Sequence, residues 1–158
     1  MQDEFSGFEA SPHDAVQAAL MTVADGEMRD LPFVHPQMPV YVTPFTLFEG
    51  QWLGCVVTPW MLSLVIFPGP QQCWARRRVG ERIGLKLPYG EMTFTVGELP
   101  QVAQYLSCSL MSPLSRDINA AQGPQLANDC LKMALSLPVS DAVSRRALLG
   151  RLKGAQHA

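Results

Sequence analysis

Charge is the scarcest material in this chain. Of its 158 residues, 16% are Asp, Glu, Lys or Arg, against about a quarter in an ordinary domain. Hydrophobic residues make up 47%, so the composition excludes a disordered chain and fits one compact domain. The net charge of −2 excludes a nucleic-acid binder, which needs a basic face to neutralise phosphates. Histidine is nearly absent, with only His13, His35 and His157. No Gly-x-Ser-x-Gly, phosphate-binding loop or Gly-x-Gly-x-x-Gly occurs, so no familiar nucleophile or nucleotide cradle is legible. No Cys-x-x-Cys occurs either. Cys55, Cys73, Cys108 and Cys130 are 18, 35 and 22 positions apart, a spacing without a zinc or disulfide signature. In a reducing compartment they read as buried thiols. The N-terminus has no basic segment of a secretory signal. The longest apolar run, residues 52–67, is broken at Thr58-Pro59 and short for a membrane span. The chain is therefore expected in the cytoplasm and not in a membrane.

What charge there is lies unevenly. Residues 1–49 hold eight acids against Arg29 alone, a net of −7, while residues 50–99 carry +2 and residues 100–158 carry +3. Between Leu31 and Ala75 the only charged residue is Glu49. Such a block must form most of the core, or a core plus an exposed apolar binding face.

The expected architecture is α+β. Residues 1–10 read as a flexible acidic tail, residues 11–138 as a single domain, and residues 139–158 as a flexible basic tail. Ser11 caps a helix with Pro12 at its first position and Val16, Leu20 and Val23 on one stripe. Pro32, Pro36, Pro39 and Pro44 forbid helix across the next stretch. Strands are expected at 40–43, 45–48, 51–58, 60–67, 85–87, 92–96 and 105–110, the fourth apolar enough for burial on both faces. Residues 71–83 read as a helical or looped crossover. A second helix ends before Pro138, opened either by an Asn119–Gln122 capping box or by Pro124. Leu126, Cys130, Met133 and Leu137 form its apolar stripe. The sum is a largely antiparallel sheet of about six or seven strands with an N-terminal and a C-terminal helix packed on it.

No catalytic constellation emerges. His13 reads as a surface residue, His35 as a satisfied loop histidine, and the cysteines as core. Trp52, Trp60 and Trp74 fall within 23 residues. They fill the core between sheet and helices or anchor an interface, a role that large rigid aromatics serve well. The run Arg76-Arg77-Arg78 is a solvated face or a docking patch for an acidic partner.

The middle of the chain resembles a known family. Leu31-Pro32-Phe33-Val34-His35-Pro36, Met38-Pro39-Val40-Tyr41-Val42, Phe48-Glu49-Gly50-Gln51-Trp52-Leu53-Gly54 and Thr58-Pro59-Trp60-Met61-Leu62 come in close succession. Phe67-Pro68-Gly69-Pro70, Leu87-Pro88-Tyr89-Gly90, Thr95-Val96-Gly97-Glu98-Leu99 and Tyr105-Leu106-Ser107-Cys108-Ser109-Leu110 follow. This order resembles the nickel–iron hydrogenase assembly chaperones of the HybE type. The resemblance implies a non-enzymatic cytoplasmic maturation factor without a cofactor. Its expected partner is the hydrogenase small-subunit precursor with its twin-arginine leader, and with it the large subunit. It delays export until assembly is complete.

A receptor for a basic-then-apolar leader needs carboxylates beside an apolar groove. Glu49, Asp25 and Glu27 are the expected carboxylates, with Phe48, Trp52, Trp60, Met61 and Tyr89 as the apolar wall. The alternative is a metal or redox accessory in cluster assembly. The tail motif Ser144-Arg145-Arg146-Ala147-Leu148-Leu149 itself resembles the start of such a leader. With no clustered ligands, the chain is expected to bind no stoichiometric metal. After dialysis against a mild chelator, elemental analysis should find no zinc, nickel or iron near one equivalent per chain. A retained equivalent refutes this.

Overall fold

The computed structural model describes residues 4–26, 31–32, 34–99 and 102–136. Along them run β1 (Glu4–Ser6), α1 (His13–Asp25), β2 (Tyr41–Val42), β3 (Thr46–Phe48), β4 (Gln51–Val57) and β5 (Leu62–Phe67). Then come β6 (Cys73–Ala75), β7 (Arg82–Leu87), β8 (Gly90–Leu99), β9 (Ala103–Met111) and α2 (Gln122–Ala134). Seven strands make one antiparallel sheet in the order β2-β4-β5-β9-β8-β7, with β3 also on β4. β1 and β6 pair as a separate ribbon. The expected antiparallel sheet with a helix from each end of the domain is what forms.

Strand alternation assigns the core. Leu53, Cys55 and Val57 of β4 share a face with Leu62, Leu64 and Ile66 of β5, and α2 covers it with Leu126, Ala127, Cys130 and Ala134. Val56, Val65 and Phe67 point the other way and meet Val16 and Leu20 of α1. The β4–β5 hairpin is thus buried on both faces, and each large side chain so buried contributes about 1.5–3 kcal/mol. Phe67 is the hub of the α1 face. Its ring meets Phe8 and Phe45 edge-on at centroid separations of 6.0 and 5.7 Å and stacks on Tyr105 at 5.2 Å. A Cβ at Gly54 would sit 2.9 Å from the Phe45 ring, so only glycine admits that ring over the strand. Trp52 Nε1–H donates to the Phe8 carbonyl at 2.9 Å.

Local chemistry sets the joints. Glu49 and Gly50 both have positive φ (52° and 82°), the signature of a two-residue hairpin turn that matches strand twist. Asn119 and Gln122 form the reciprocal capping box before α2, with Gln122 N–H donating to Asn119 Oδ1 at 2.8 Å and Asn119 N–H to Gln122 Oε1 at 2.9 Å. At the edge, Pro44 interrupts pairing between β2 and β3. Thr43 spans the gap: its N–H donates to the Cys55 carbonyl at 3.0 Å and its Oγ1 accepts the Cys55 N–H at 2.9 Å.

Three expectations are corrected. Residues 4–6 are not loose tail: they pair with β6, and Phe8 beyond them packs in the aromatic cluster. Gly7 carries the chain from one face of the sheet to the other, against Gly69, where a Cβ has no room. Residues 71–83 are not helical but hold β6, an arginine loop and the start of β7. Pro12, not Ser11, holds the cap position of α1, although Ser11 Oγ still accepts the His13 N–H at 3.3 Å. The expected tail at 139–158 and Leu137 lie outside the described residues. Among the described residues no helix is long and apolar enough to cross a membrane. Phe67→Ala should cost about 3–5 kcal/mol of unfolding free energy in urea titrations. A loss under about 1 kcal/mol would show that the cluster does not depend on this ring.

Candidate functional site

A groove of about 600 Å³ opens between the end of α1 and the proline-rich segment that follows. Met21, Leu31, Val34, Met38, Pro39 and Pro59 form its apolar walls. Met21 and Leu31 are 48% and 37% exposed, unusual for large apolar side chains. Asp25, the last residue of α1, lies on the groove, and the last turn of α1 carries no basic residue. The negative end of the helix dipole and a carboxylate therefore face the opening together, an arrangement that favours a cation. Arg116 lines another part, its Nη2 donating to the Pro32 carbonyl at 2.7 Å.

His35 holds this wall in place. It is buried, its backbone N–H donates to the Pro59 carbonyl at 2.6 Å, and Nε2–H donates to the Ile118 carbonyl at 2.7 Å. Its Nδ1 accepts the Gln37 N–H at 3.1 Å. Both ring nitrogens are engaged, so His35 acts as a brace between three segments and not as a free base. His13 is likewise more than a surface residue: its Nε2–H donates to the Val42 carbonyl at 2.8 Å and ties α1 to β2.

The expected site residues fall in different places. Asp25 lines the groove, and Trp60 and Met61 follow Pro59, half-buried against the α1-side cluster. Thr58 Oγ1 accepts both of their N–H groups, at 3.3 and 3.1 Å. Glu49, Phe48 and Trp52 sit at the opposite end of β4, about 20 Å away by strand rise. Phe48 packs toward the α2 face while Trp52 packs toward the α1 face. Tyr89 stands at the β7–β8 turn, its N–H donating to the Ala134 carbonyl at 3.3 Å. Glu27 lies outside the described residues, as does the Arg145-Arg146 motif. Sequence reasoning missed Met21, Leu31, Met38 and Arg116. They converge only through tertiary packing, and the spaced prolines at 32, 36 and 39 were the one available signal.

Three of the four thiols pack in or against the core, but Cys73 is exposed, contrary to the expectation of four buried thiols, because β6 pairs only with the short β1. Cys55 and Cys130 are buried, and burial pushes the Cys55 thiol well up in pKa, with the other two nearby thiols adding to it. Burial raises half-buried Cys108 as well. Exposed Cys73 donates to Glu4 Oε2 at 3.1 Å, which also raises its pKa. Among the described residues no group of three His, Cys, Asp or Glu side chains is arranged to hold a metal.

Among the described residues, then, the antiparallel sheet is packed on both faces and an apolar groove opens beside the end of α1. The family described as "NiFe-hydrogenase assembly, chaperone, HybE" matches residues 11–151, and the chain belongs to that family. It is 60% identical to the Hydrogenase-2 operon protein HybE of Escherichia coli strain K12, with 98% of each chain covered. It is 31% identical to the hydrogenase expression/formation protein HoxT of Azotobacter vinelandii, over 84% of this chain and 90% of that one. The solution structure of HybE from Escherichia coli is similar at TM-score 0.73 and 62% identity, covering 89% of this chain and 87% of the other. The role of this family, assembly chaperone, is not enzymatic.

The thiols yield a direct check. Cys73 should be the one fast-reacting thiol toward a disulfide reagent in the native protein. Glu4→Gln should speed it several-fold at about pH 8, because removing the carboxylate lowers the thiol pKa and raises the thiolate fraction. An unchanged rate means that Glu4 does not govern Cys73.

Proposed function

We propose that the protein is a cytoplasmic chaperone for the nickel–iron hydrogenase small-subunit precursor. It holds the twin-arginine leader in the groove and delays export until the large subunit has joined. The observation that carries this reading is the groove itself: apolar walls at Met21, Leu31 and Met38 beside Asp25 at the C-terminal end of α1, whose last turn holds no basic residue. A leader is basic, then apolar. Its arginines meet the carboxylate and the helix end, where charge-assisted hydrogen bonds orient them. Its apolar stretch lies along the walls. Trp60 and Met61, beside Pro59, extend the apolar rim. Family membership supports the client class and the chaperone role.

The test is a pull-down of the small-subunit precursor with and without its leader, followed by calorimetry with a leader peptide. Full-length precursor should bind and leaderless precursor should bind far less. Asp25→Lys should weaken leader binding about tenfold, with a larger effect at low salt. Met21→Ser should weaken it at all salt concentrations. Equal capture of the leaderless precursor would overturn the proposal.

A further inference from the structure

A second surface lies at the far end of β4. The loop between β6 and β7 carries Arg76, Arg77 and Arg78, and Arg82 opens β7. A run of like charge is ordinarily held loosely in solvent, but this one is fixed from beneath. Gln104 of β9, 7% exposed, accepts the Arg77 N–H at 2.9 Å and donates to the Arg77 carbonyl at 2.8 Å. One buried side chain thus supplies both hydrogen bonds that a neighbouring strand would make. On the other flank, Gly80 N–H donates to the Val96 carbonyl and Val96 N–H to the Glu81 carbonyl, each at 2.8 Å. The loop backbone is clamped while residues 76–82 all remain exposed.

The charge on this loop is largely unspent. Arg77 pairs with Glu81 at 2.9 Å. Arg76 lies over the Phe5 ring at 5.3 Å, a contact that orients the guanidinium without neutralising it. Among the described residues neither Arg78 nor Arg82 pairs with a carboxylate. Val79, between them in sequence, is 56% exposed, the highest of the exposed large apolar side chains. Beside the loop is a cavity of about 300 Å³ lined by Trp74, Arg77, Ile83, Leu85, Val96 and Leu106. Positive charge, an exposed apolar tip and a small apolar recess occur together on a prearranged backbone.

We propose that this loop and recess form a docking site for an acidic segment of a partner protein that carries an apolar side chain. Its carboxylates sit on Arg76, Arg78 and Arg82, and its apolar side chain enters the recess beside Trp74. A polyanion such as nucleic acid offers no apolar side chain to the recess or to the exposed Val79 tip. The recess is too small for more than one or two side chains, which points to a short segment. The clamp by Gln104 lowers the ordering cost that a loose arginine loop would incur on binding. This site is remote from the groove at α1, and its occupancy does not depend on what the groove binds.

The test uses the full chain, labelled for NMR, titrated with an acetylated peptide of four glutamates flanking two leucines and with its lysine counterpart. The acidic peptide should shift the backbone amides of residues 75–83 and 104–106, and the lysine peptide should not. Arg78→Glu with Arg82→Glu, both exposed and unpaired, should weaken acidic-peptide binding about tenfold and leave leader-peptide binding unchanged. Replacing the two leucines by serines should also weaken binding, through the recess. Gln104→Met, a positioning change, should weaken acidic-peptide binding while leaving its salt dependence intact. Shifts confined to other regions, or equal binding of the lysine peptide, overturn the proposal. So does salt-sensitive self-association abolished by the same two substitutions, which would make a second copy of the chain the occupant.

Discussion

Everything in this domain is referred to the β4–β5 hairpin. Its side chains alternate between two helices of different character, one on each face, and a shift of register by one residue would exchange the two sets. Leu53, Cys55 and Val57 belong to α2, while Val56, with Phe67 of the partner strand, belongs to α1. Two cores therefore share one pair of strands. Glycine at position 54 lets Phe45 lie flat against the strand, and the paired Val65 and Phe67 complete the α1-side layer. The absence of charge from residues 51–67 follows from this double burial, since most of the hairpin is covered on both faces.

Double burial also forces the polar material outward to the ends. At one end of β4 the chain turns at Thr58–Met61, and the braces from His35 to Pro59 and Ile118 build an apolar groove beside the acidic end of α1. At the other end, Gln104 fixes the arginine loop. The groove and the arginine loop thus lie at opposite ends of β4. A partner that touched both ends would be held in one orientation, and contacts at two separated points raise the effective concentration of each for the other.

Much of the framework was legible in the sequence because it rests on local patterns. The hairpin of 45–48 with 51–58, its turn at Glu49-Gly50 and, of the two starts open to the second helix, the capping box at Asn119 follow from alternation, turn chemistry and spacing, and they form; the pairing of β4 with β5 across Pro59 is what the strand pattern leaves open. β1 and β6 were not legible: each is three residues long, and their pairing joins Phe5 to Trp74 across most of the domain, which leaves no period to read. For 71–83 both a helix and a loop are open from the charge pattern, and Gln104, distant in sequence, holds residues 76–81 as a loop between β6 and β7. The groove shared this fate. Glu49, Asp25 and Glu27 are named together as carboxylates, but Glu49 lies at the far end of β4 from Asp25, a separation that the sequence does not report. Asp25 and the aromatic turn at Trp60 were named without the means to see that Pro59 and Met21 lie on one wall.

Thr43 is the small feature with the widest reach. Its Oγ1 takes the place of a backbone carbonyl for the Cys55 N–H while its own N–H serves the Cys55 carbonyl, so the outer edge of β4 stays satisfied where β2 and β3 meet at an interruption. The edge of the sheet is therefore two short pieces and not one long flat ribbon. A long free edge invites another extended chain to add to it, and the route from there leads to aggregates. A protein whose work brings it against incompletely assembled chains is exposed to that hazard more than most. On this side of the sheet the broken edge offers an extended chain no long backbone template, while β7 forms the other edge.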